Sequence, residues 1–213
     1  FPYSVVNKDL SNQPLLAPFW EAAKDSKGFP GYLFIQVRNL WRFAISADDR
    51  YGPVYNLSVA RTIVDRMNAA HPITRSNRPV NLILMSTSGG TQVALGATAH
   101  LREWINARIT VVSLGGAFEG RAGFNEVNHV YHFYGDRDWV TQLPIFVFPG
   151  RWRWVVSPVN QARQQGRYTV CNVGTQEHDG SQGYFGEAMP TTGGTIHFDP
   201  ASSFKPTPKH TPQ

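Results

Sequence analysis

The sequence predicts an α/β fold, a mostly parallel sheet flanked by helices, and three observations predict it. Apolar runs of strand length alternate with amphipathic segments of helix length, the pattern of βαβ units. The later runs stop at glycine-bearing turns. The 213 residues suit one domain with a full core rather than two. Residues 1–190 are expected to form that domain. Residues 191–213, rich in Thr, Gly, Pro and Ser, are expected to form an irregular tail.

Leu15 to Ala23 has helical spacing. Trp41 to Ser46 reads as a strand that ends in the turn-rich Ala47-Asp48-Asp49-Arg50-Tyr51-Gly52-Pro53. Leu57 to Ala70 predicts a helix with Ala60, Ile63, Val64 and Met67 on one face and Asn56 as its N-cap. Val80 to Met85, a short apolar run after Pro79, suits a central strand buried on both faces. Val93, Ala97, Leu101, Trp104 and Ile105 mark the next helix. Three strands follow: Ile109 to Leu114, His129 to Tyr134, and Tyr168 to Val173, ending at Gly115, Gly135 and Gly174.

The net charge of +5 invites a nucleic-acid reading. The arginines, however, are scattered (Arg38, Arg42, Arg50, Arg61, Arg66, Arg75, Arg78) and form no basic run, so no nucleic-acid partner is expected. Arg151-Trp152-Arg153-Trp154 is the local exception. It reads as an amphipathic surface segment, with base stacking or a lipid interface as the other uses of such a pattern. The one cysteine, Cys171, allows no intrachain disulfide and is expected to be a buried structural thiol. No apolar run reaches the roughly 18–20 residues that span a bilayer, and the N-terminus has no signal-peptide pattern. A chain beginning at Phe1 is expected to be processed or trimmed. The compartment and the oligomeric state are not legible.

In parallel sheets, ligands bind at the carboxyl ends of the strands. After Val80–Met85 comes Ser86-Thr87-Ser88-Gly89-Gly90, of the form small-x-Ser-x-Gly. A nucleophile on a sharp strand-to-helix turn sits in strained backbone, and neighbouring chain passes close to the positions two before and two after it. Gly90 meets that need, and Ser86 stands where Gly is more usual. Gly89 would offer its backbone N–H to an oxyanion at the helix start. No Walker-type lysine pair and no G-x-G-x-x-G accompanies the turn.

After His129–Tyr134 comes Gly135-Asp136-Arg137-Asp138-Trp139-Val140, which offers Asp138, or Asp136 as the alternate, to orient an imidazole. After Tyr168–Val173 comes Gly174-Thr175-Gln176-Glu177-His178, which offers His178 as a general base. His197 is the runner-up. His71, His100, His129, His132 and His210 fit less well. No zinc-ligand spacing is visible among the Asp and His residues.

The order Ser88, Asp138, His178, each after a different strand, resembles that of the α/β-hydrolase superfamily, of the esterase/lipase kind. The resemblance covers roughly residues 30–190. His178-Asp179-Gly180-Ser181-Gln182-Gly183-Tyr184-Phe185 also resembles the catalytic-His loop of such enzymes, where a Gly-Tyr pair follows the His. The resemblance implies a serine hydrolase that needs no cofactor or metal and acts on a small-molecule or lipid ester or thioester. Ser88 would attack, His178 would take its proton, Asp138 would orient the imidazole, and the Gly89 N–H would hold the oxyanion.

The short interval between Ser88 and Asp138 leaves room for little or no cap domain. No His-Gly oxyanion motif is visible, so the second oxyanion donor is placed near Tyr3 or Ser4. The other reading is a hydrolase-fold binding module without catalysis. Trp139, Phe146, Phe148, Trp152 and Trp154 fall between the Asp and the His. They are expected to line an acyl pocket, to form a small lid, or to pack as ordinary core. A peripheral lipid contact fits these aromatics.

Overall fold

A computed structural model of the chain describes residues 29–73, 79–186 and 197–198. In chain order the elements are α1 (Phe29–Ala47), α2 (Gly52–Ala70), β1 (Val80–Thr87), α3 (Gly90–Ile105), β2 (Ala107–Leu114), β3 (His129–Tyr134), α4 (Leu143–Val147), a 3-10 turn (Pro149–Arg151), α5 (Pro158–Gln164), β4 (Tyr168–Asn172) and β5 (His197–Phe198). The strands lie side by side in the order β1-β2-β3-β4-β5. The first four are parallel, and β5 pairs antiparallel with β4. The fold is thus of the α/β class, with a parallel sheet as the alternation of elements predicts. Two of the residues assigned to an irregular tail, His197 and Phe198, are the ones in β5.

Register aligns the core. Leu82 faces Ile109, Leu84 faces Val111, Val111 faces Val130, and Val130 faces Tyr168. With a side-chain period of two, this row shares one face of the sheet. Leu95, Ala97 and Leu101 from α3 and Val159 and Ala162 from α5 join it in one cluster, with Phe118 and Phe124 from the β2–β3 connection. Burying each large side chain contributes about 1.5–3 kcal/mol.

Three expectations need correction. β1 is not buried on both faces, and among the described residues it is not central but lies at the edge of the sheet. Among the described residues it pairs with β2 alone, and its burial alternates. Leu82 is buried, whereas Ile83 and Met85 on the opposite face are 65% and 70% exposed. A run of consecutive apolar residues hides that period-two pattern in the sequence.

Trp41 to Ser46 is not a strand but the last part of α1. The aromatic and branched residues Trp41, Phe43 and Ile45 suggest alternation. The spacing that decides is Leu40, Phe43, Ala44 and Ala47, which is helical. These four line a single cavity, described below.

α2 begins at Gly52, with Pro53 in its first turn, so Asn56 is inside the helix and is not its cap. Asn56 is buried, and its Oδ1 accepts a hydrogen bond from Ser46 Oγ at 2.8 Å, which ties α1 to α2. A Cβ on Gly96 of α3 would collide with the Asn56 amide, so glycine there lets the two helices close. The predicted helix over Leu15–Ala23 lies outside the described residues. Cys171 is buried, as expected.

A polar seam crosses this otherwise apolar core. Ser86 Oγ lies 3.1 Å from Thr91 Oγ1, Thr91 Oγ1 lies 3.1 Å from Ser113 Oγ, and Ser113 Oγ lies 3.0 Å from His132 Nδ1. Burial, helped by the charge of Arg151, pushes the His132 pKa down to about 3, so the ring is neutral. The unfolded chain binds this proton below pH 6.5, and the folded chain does so only near pH 3. Stability therefore falls as the pH drops through that window. In denaturant titrations across it, a His132→Gln variant is expected to lose stability less steeply than the parent. Equal slopes would refute a neutral buried His132.

Candidate active site

β1 ends at Thr87, and the chain turns into α3 through Ser88 and Gly89. Ser88 has φ +48°, in the left-handed region; among the described residues Asn106 is the other non-glycine there. Such backbone costs on the order of 1–3 kcal/mol and needs support. The Ser88 N–H donates to Leu114 O at 3.3 Å, and the Ser88 carbonyl accepts from Thr91 N at 3.1 Å and Ala117 N at 2.9 Å. The turn is therefore pinned by the end of β2, by α3 and by the β2–β3 connection.

The small residues around it act differently from the steric expectation. A Cβ on Gly90 would meet nothing within 4 Å. The tight position is Gly89, where a Cβ would lie 3.3 Å from Phe43 Cβ of α1. Ser86 fits because its hydroxyl has partners, donating to Val112 O at 3.3 Å and meeting Thr91. Gly89 is the N-cap of α3, and among the described residues its N–H has no acceptor. Tyr3 and Ser4 lie outside the described residues.

The structure brings Ser88, His178 and Asp138 together. His178 Nε2 is 2.9 Å from Ser88 Oγ, and His178 Nδ1 is 2.9 and 3.0 Å from the two carboxylate oxygens of Asp138. An ionised carboxylate only accepts, so Nδ1 carries the proton and Nε2 is free to accept from the serine hydroxyl. Asp138 is 1% exposed, and its Oδ1 also accepts from the backbone N–H groups of Val140 and Thr141 at 3.0 and 3.3 Å. Its Oδ2 accepts from Tyr184 Oη at 2.7 Å, and that same hydroxyl accepts from Gly135 N at 2.8 Å.

Burial would raise the Asp138 pKa, but hydrogen bonds from His178 and Tyr184 outweigh it and hold the carboxyl below its ordinary range. For His178 burial works downward, and the hydrogen bond and charge of Asp138 reverse it, leaving the pKa raised. Burial first, and then the bond to Asp138, raises the Tyr184 phenol. Glycine is required nearby. Gly115 has φ +56°, and a Cβ there would collide with the Tyr184 ring and lie 2.7 Å from Asp138 Oδ2.

The alternates sit elsewhere. Asp136 accepts from Asn172 Nδ2 at 2.6 Å and makes no bond to His178. His197 is on β5, beside β4. Arg137 pairs loosely with Glu177 at 3.9 Å.

Two cavities meet at Ser88 and Gly89. One, of about 610 Å³, is mostly apolar and lies between α1 and α4, walled by Leu40, Phe43, Ala117, Leu143 and Phe148. The other, of about 620 Å³, lies between α1 and α2 and is lined by Arg38, Arg42 and Arg66. Of the five aromatics expected to form an acyl pocket, a lid or core packing, Phe148 is the one that lines the apolar cavity. Trp139, Phe146 and Trp154 are 66%, 78% and 79% exposed, so they are not core. Trp152 leans on Trp154, with ring centres 5.4 Å apart, and donates from Nε1 to Ile145 O at 2.7 Å.

Sequence reasoning missed the α1 wall, because Phe43 fell in a stretch read as a strand. It also missed that Arg66 lines the same cavity as Arg38 and Arg42. Tyr184 was signalled only through the Gly-Tyr pair after His178. No protein-family model, curated protein or solved structure matches the chain.

The arrangement can draw the proton from Ser88 onto a polarised imidazole. The ring titration of His178, followed by NMR, is expected to have its midpoint above 6.5. Asp138→Asn removes the main cause that raises it and leaves burial against only the weaker charge effect of Asp179, so the midpoint should fall below 6.5. An unmoved midpoint would refute the Asp138 coupling.

Proposed function

We propose that the chain is a serine hydrolase of the α/β-hydrolase superfamily, of the esterase/lipase kind, which cleaves a carboxylic ester or thioester. The observation that carries the reading is the continuous hydrogen-bonded chain from buried Asp138 through His178 to Ser88, ending on a strained strand-to-helix turn. Three groups from three strand ends meet in the geometry that nucleophilic catalysis needs.

In this mechanism His178 Nε2 takes the Ser88 proton as Oγ attacks the acyl carbon. Asp138 stabilises the imidazolium through Nδ1. The developing oxyanion is stabilised by the Gly89 N–H and the positive end of α3. As the tetrahedral intermediate collapses, the bond to the leaving alcohol or thiol breaks and His178 returns the proton to it. A water, deprotonated by His178, then releases the acid and restores Ser88. The residues supply every proton transfer, so no cofactor enters.

The apolar cavity beside Ser88 suits an acyl chain. Leu40, Leu143 and Val147 on its walls are 66%, 45% and 63% exposed, and Phe146 beside them is 78% exposed. Such a rim favours a lipid ester and a peripheral contact with a lipid surface.

A fluorophosphonate probe should label the protein at Ser88. Ser88→Ala should abolish labelling and lower ester turnover by about 10⁴-fold or more. No labelling of the parent, or equal labelling of the alanine variant, would overturn the reading and leave a binding module on the same fold.

A further inference from the structure

The groups that donate to Asp138 differ in what they decide. The Val140 and Thr141 amides hold Oδ1 at 3.0 and 3.3 Å, and the Tyr184 hydroxyl holds Oδ2 at 2.7 Å. His178 Nδ1 lies almost evenly between the two oxygens, at 2.9 and 3.0 Å. An N–H shared in this way does not choose the tilt of the carboxylate. The amides on one oxygen and the phenol on the other set that tilt. The amides belong to the turn that carries Asp138, whereas Tyr184 arrives from 46 residues further along the chain.

The ring and the hydroxyl of Tyr184 have separable roles. The ring fills the space over Gly115, where a Cβ would collide with it. A phenylalanine would fill that space as well. The hydroxyl does what a phenyl group cannot. It accepts from Gly135 N at 2.8 Å, which engages the oxygen and directs the O–H toward Oδ2. A donor that is itself bonded through its oxygen is polarised and donates more strongly. Burial, and then the bond to Asp138, raise the phenol pKa, so the proton stays on Tyr184 while His178 titrates.

The consequence falls on His178. Each donor that takes a share of the carboxylate's charge leaves less for the others. Burial works to raise the Asp138 pKa, and the bonds from His178 and then Tyr184 bring it down. A phenol on Oδ2 therefore loosens the hold of the carboxylate on an imidazolium. On His178 itself burial works downward, and Asp138 and its chain neighbour Asp179 work upward. The turn into α3 brings the Ser88 hydroxyl to Nε2. On the same two loops Arg137 and Glu177 lie 3.9 Å apart, and Asp136 accepts from Asn172. Two carboxylates thus pull the ring toward its charged form, and the phenol restrains the nearer of them.

We infer that Tyr184 is a positioning residue for the reaction proposed above: its hydroxyl fixes the tilt of Asp138 against His178 and tempers the carboxylate's grip on the ring proton. This rests on the serine-hydrolase reading. A base that takes a proton from Ser88 and returns it to a leaving group works best when it holds that proton neither too loosely nor too tightly. Asp138 tightens the hold, and Tyr184 limits the tightening without touching the reacting atoms.

The test compares the parent with Tyr184→Phe and with a protein carrying 3-fluorotyrosine in place of Tyr184. The first keeps the ring and removes the donor. The second keeps the shape and strengthens the donor. Two pH profiles are read: the rate of fluorophosphonate labelling at Ser88, and the His178 ring titration by NMR. In Tyr184→Phe both midpoints should move to higher pH, and the labelling rate on its plateau should fall about tenfold. With 3-fluorotyrosine both midpoints should move to lower pH. A residue that merely supports the loop would lower the rate and leave the midpoints in place.

A midpoint that stays put in either protein, or that moves down in Tyr184→Phe, would overturn the inference. Should Tyr184→Phe fail to fold, the fluorinated protein decides alone. If Ser88 of the parent is not labelled, the hydrolase reading fails. The ring titration needs no labelling, so it still shows whether Tyr184 restrains His178.

Discussion

The left-handed backbone at Ser88 constrains everything around it. A residue with a Cβ does not rest there unaided. Its support comes from three directions: the Leu114 carbonyl at the end of β2, the Thr91 amide in α3, and the Ala117 amide beyond β2. These contacts require β1 and β2 to be in register to their last residues, as they are from Val80–Ala107 to Thr87–Leu114. They also require α3 to start without delay. The polar seam through Ser86, Thr91 and Ser113 lies directly beneath, so hydroxyls that would be costly in an apolar core satisfy one another.

A second constraint is the burial of Asp138. A carboxylate removed from water is costly unless hydrogen bonds replace its solvation. Here the replacements come from an imidazole, a phenol and two backbone amides. The same bonds that make the charge tolerable fix the tautomer of His178. Electrostatic need and proposed chemistry thus converge on one set of contacts, and the glycine at 115 exists where any side chain would separate them.

Much of this site could be read from the sequence because its residues follow strands. Strand ends are marked by short signals: an apolar run, then glycine, then a polar residue. Asp138 and His178 carry that mark after β3 and β4, whose spans agree closely with those predicted, and at Ser88 the glycines follow the polar residue instead. The walls of the site carry no such mark. Phe43 and Leu40 belong to a helix whose aromatic and branched residues imitate alternation over a short window. Arg66 is brought beside Arg38 and Arg42 only by the packing of α1 on α2, which no local pattern encodes. The one-sided burial of β1 was equally hidden, since its outward Ile83 and Met85 are as apolar as its inward Leu82 and Leu84. Position along a strand is a local property, whereas neighbourhood across helices is a global one.

The loop from Gly174 to Gly186 holds Asp138 at two points, through His178 and through Tyr184. Tyr184 is also fastened to Gly135, at the mouth of the turn that carries Asp138. Two loops that follow different strands are therefore buckled to each other by the very carboxylate that orients the ring. The buckle gives the site a threshold character. Slack in either loop would unfasten the imidazole and expose a bare buried charge together, so partly assembled arrangements would be sparsely populated. Opening of this corner should be cooperative, with the amide protons of residues 135–141 and 177–184 exchanging with solvent as one unit.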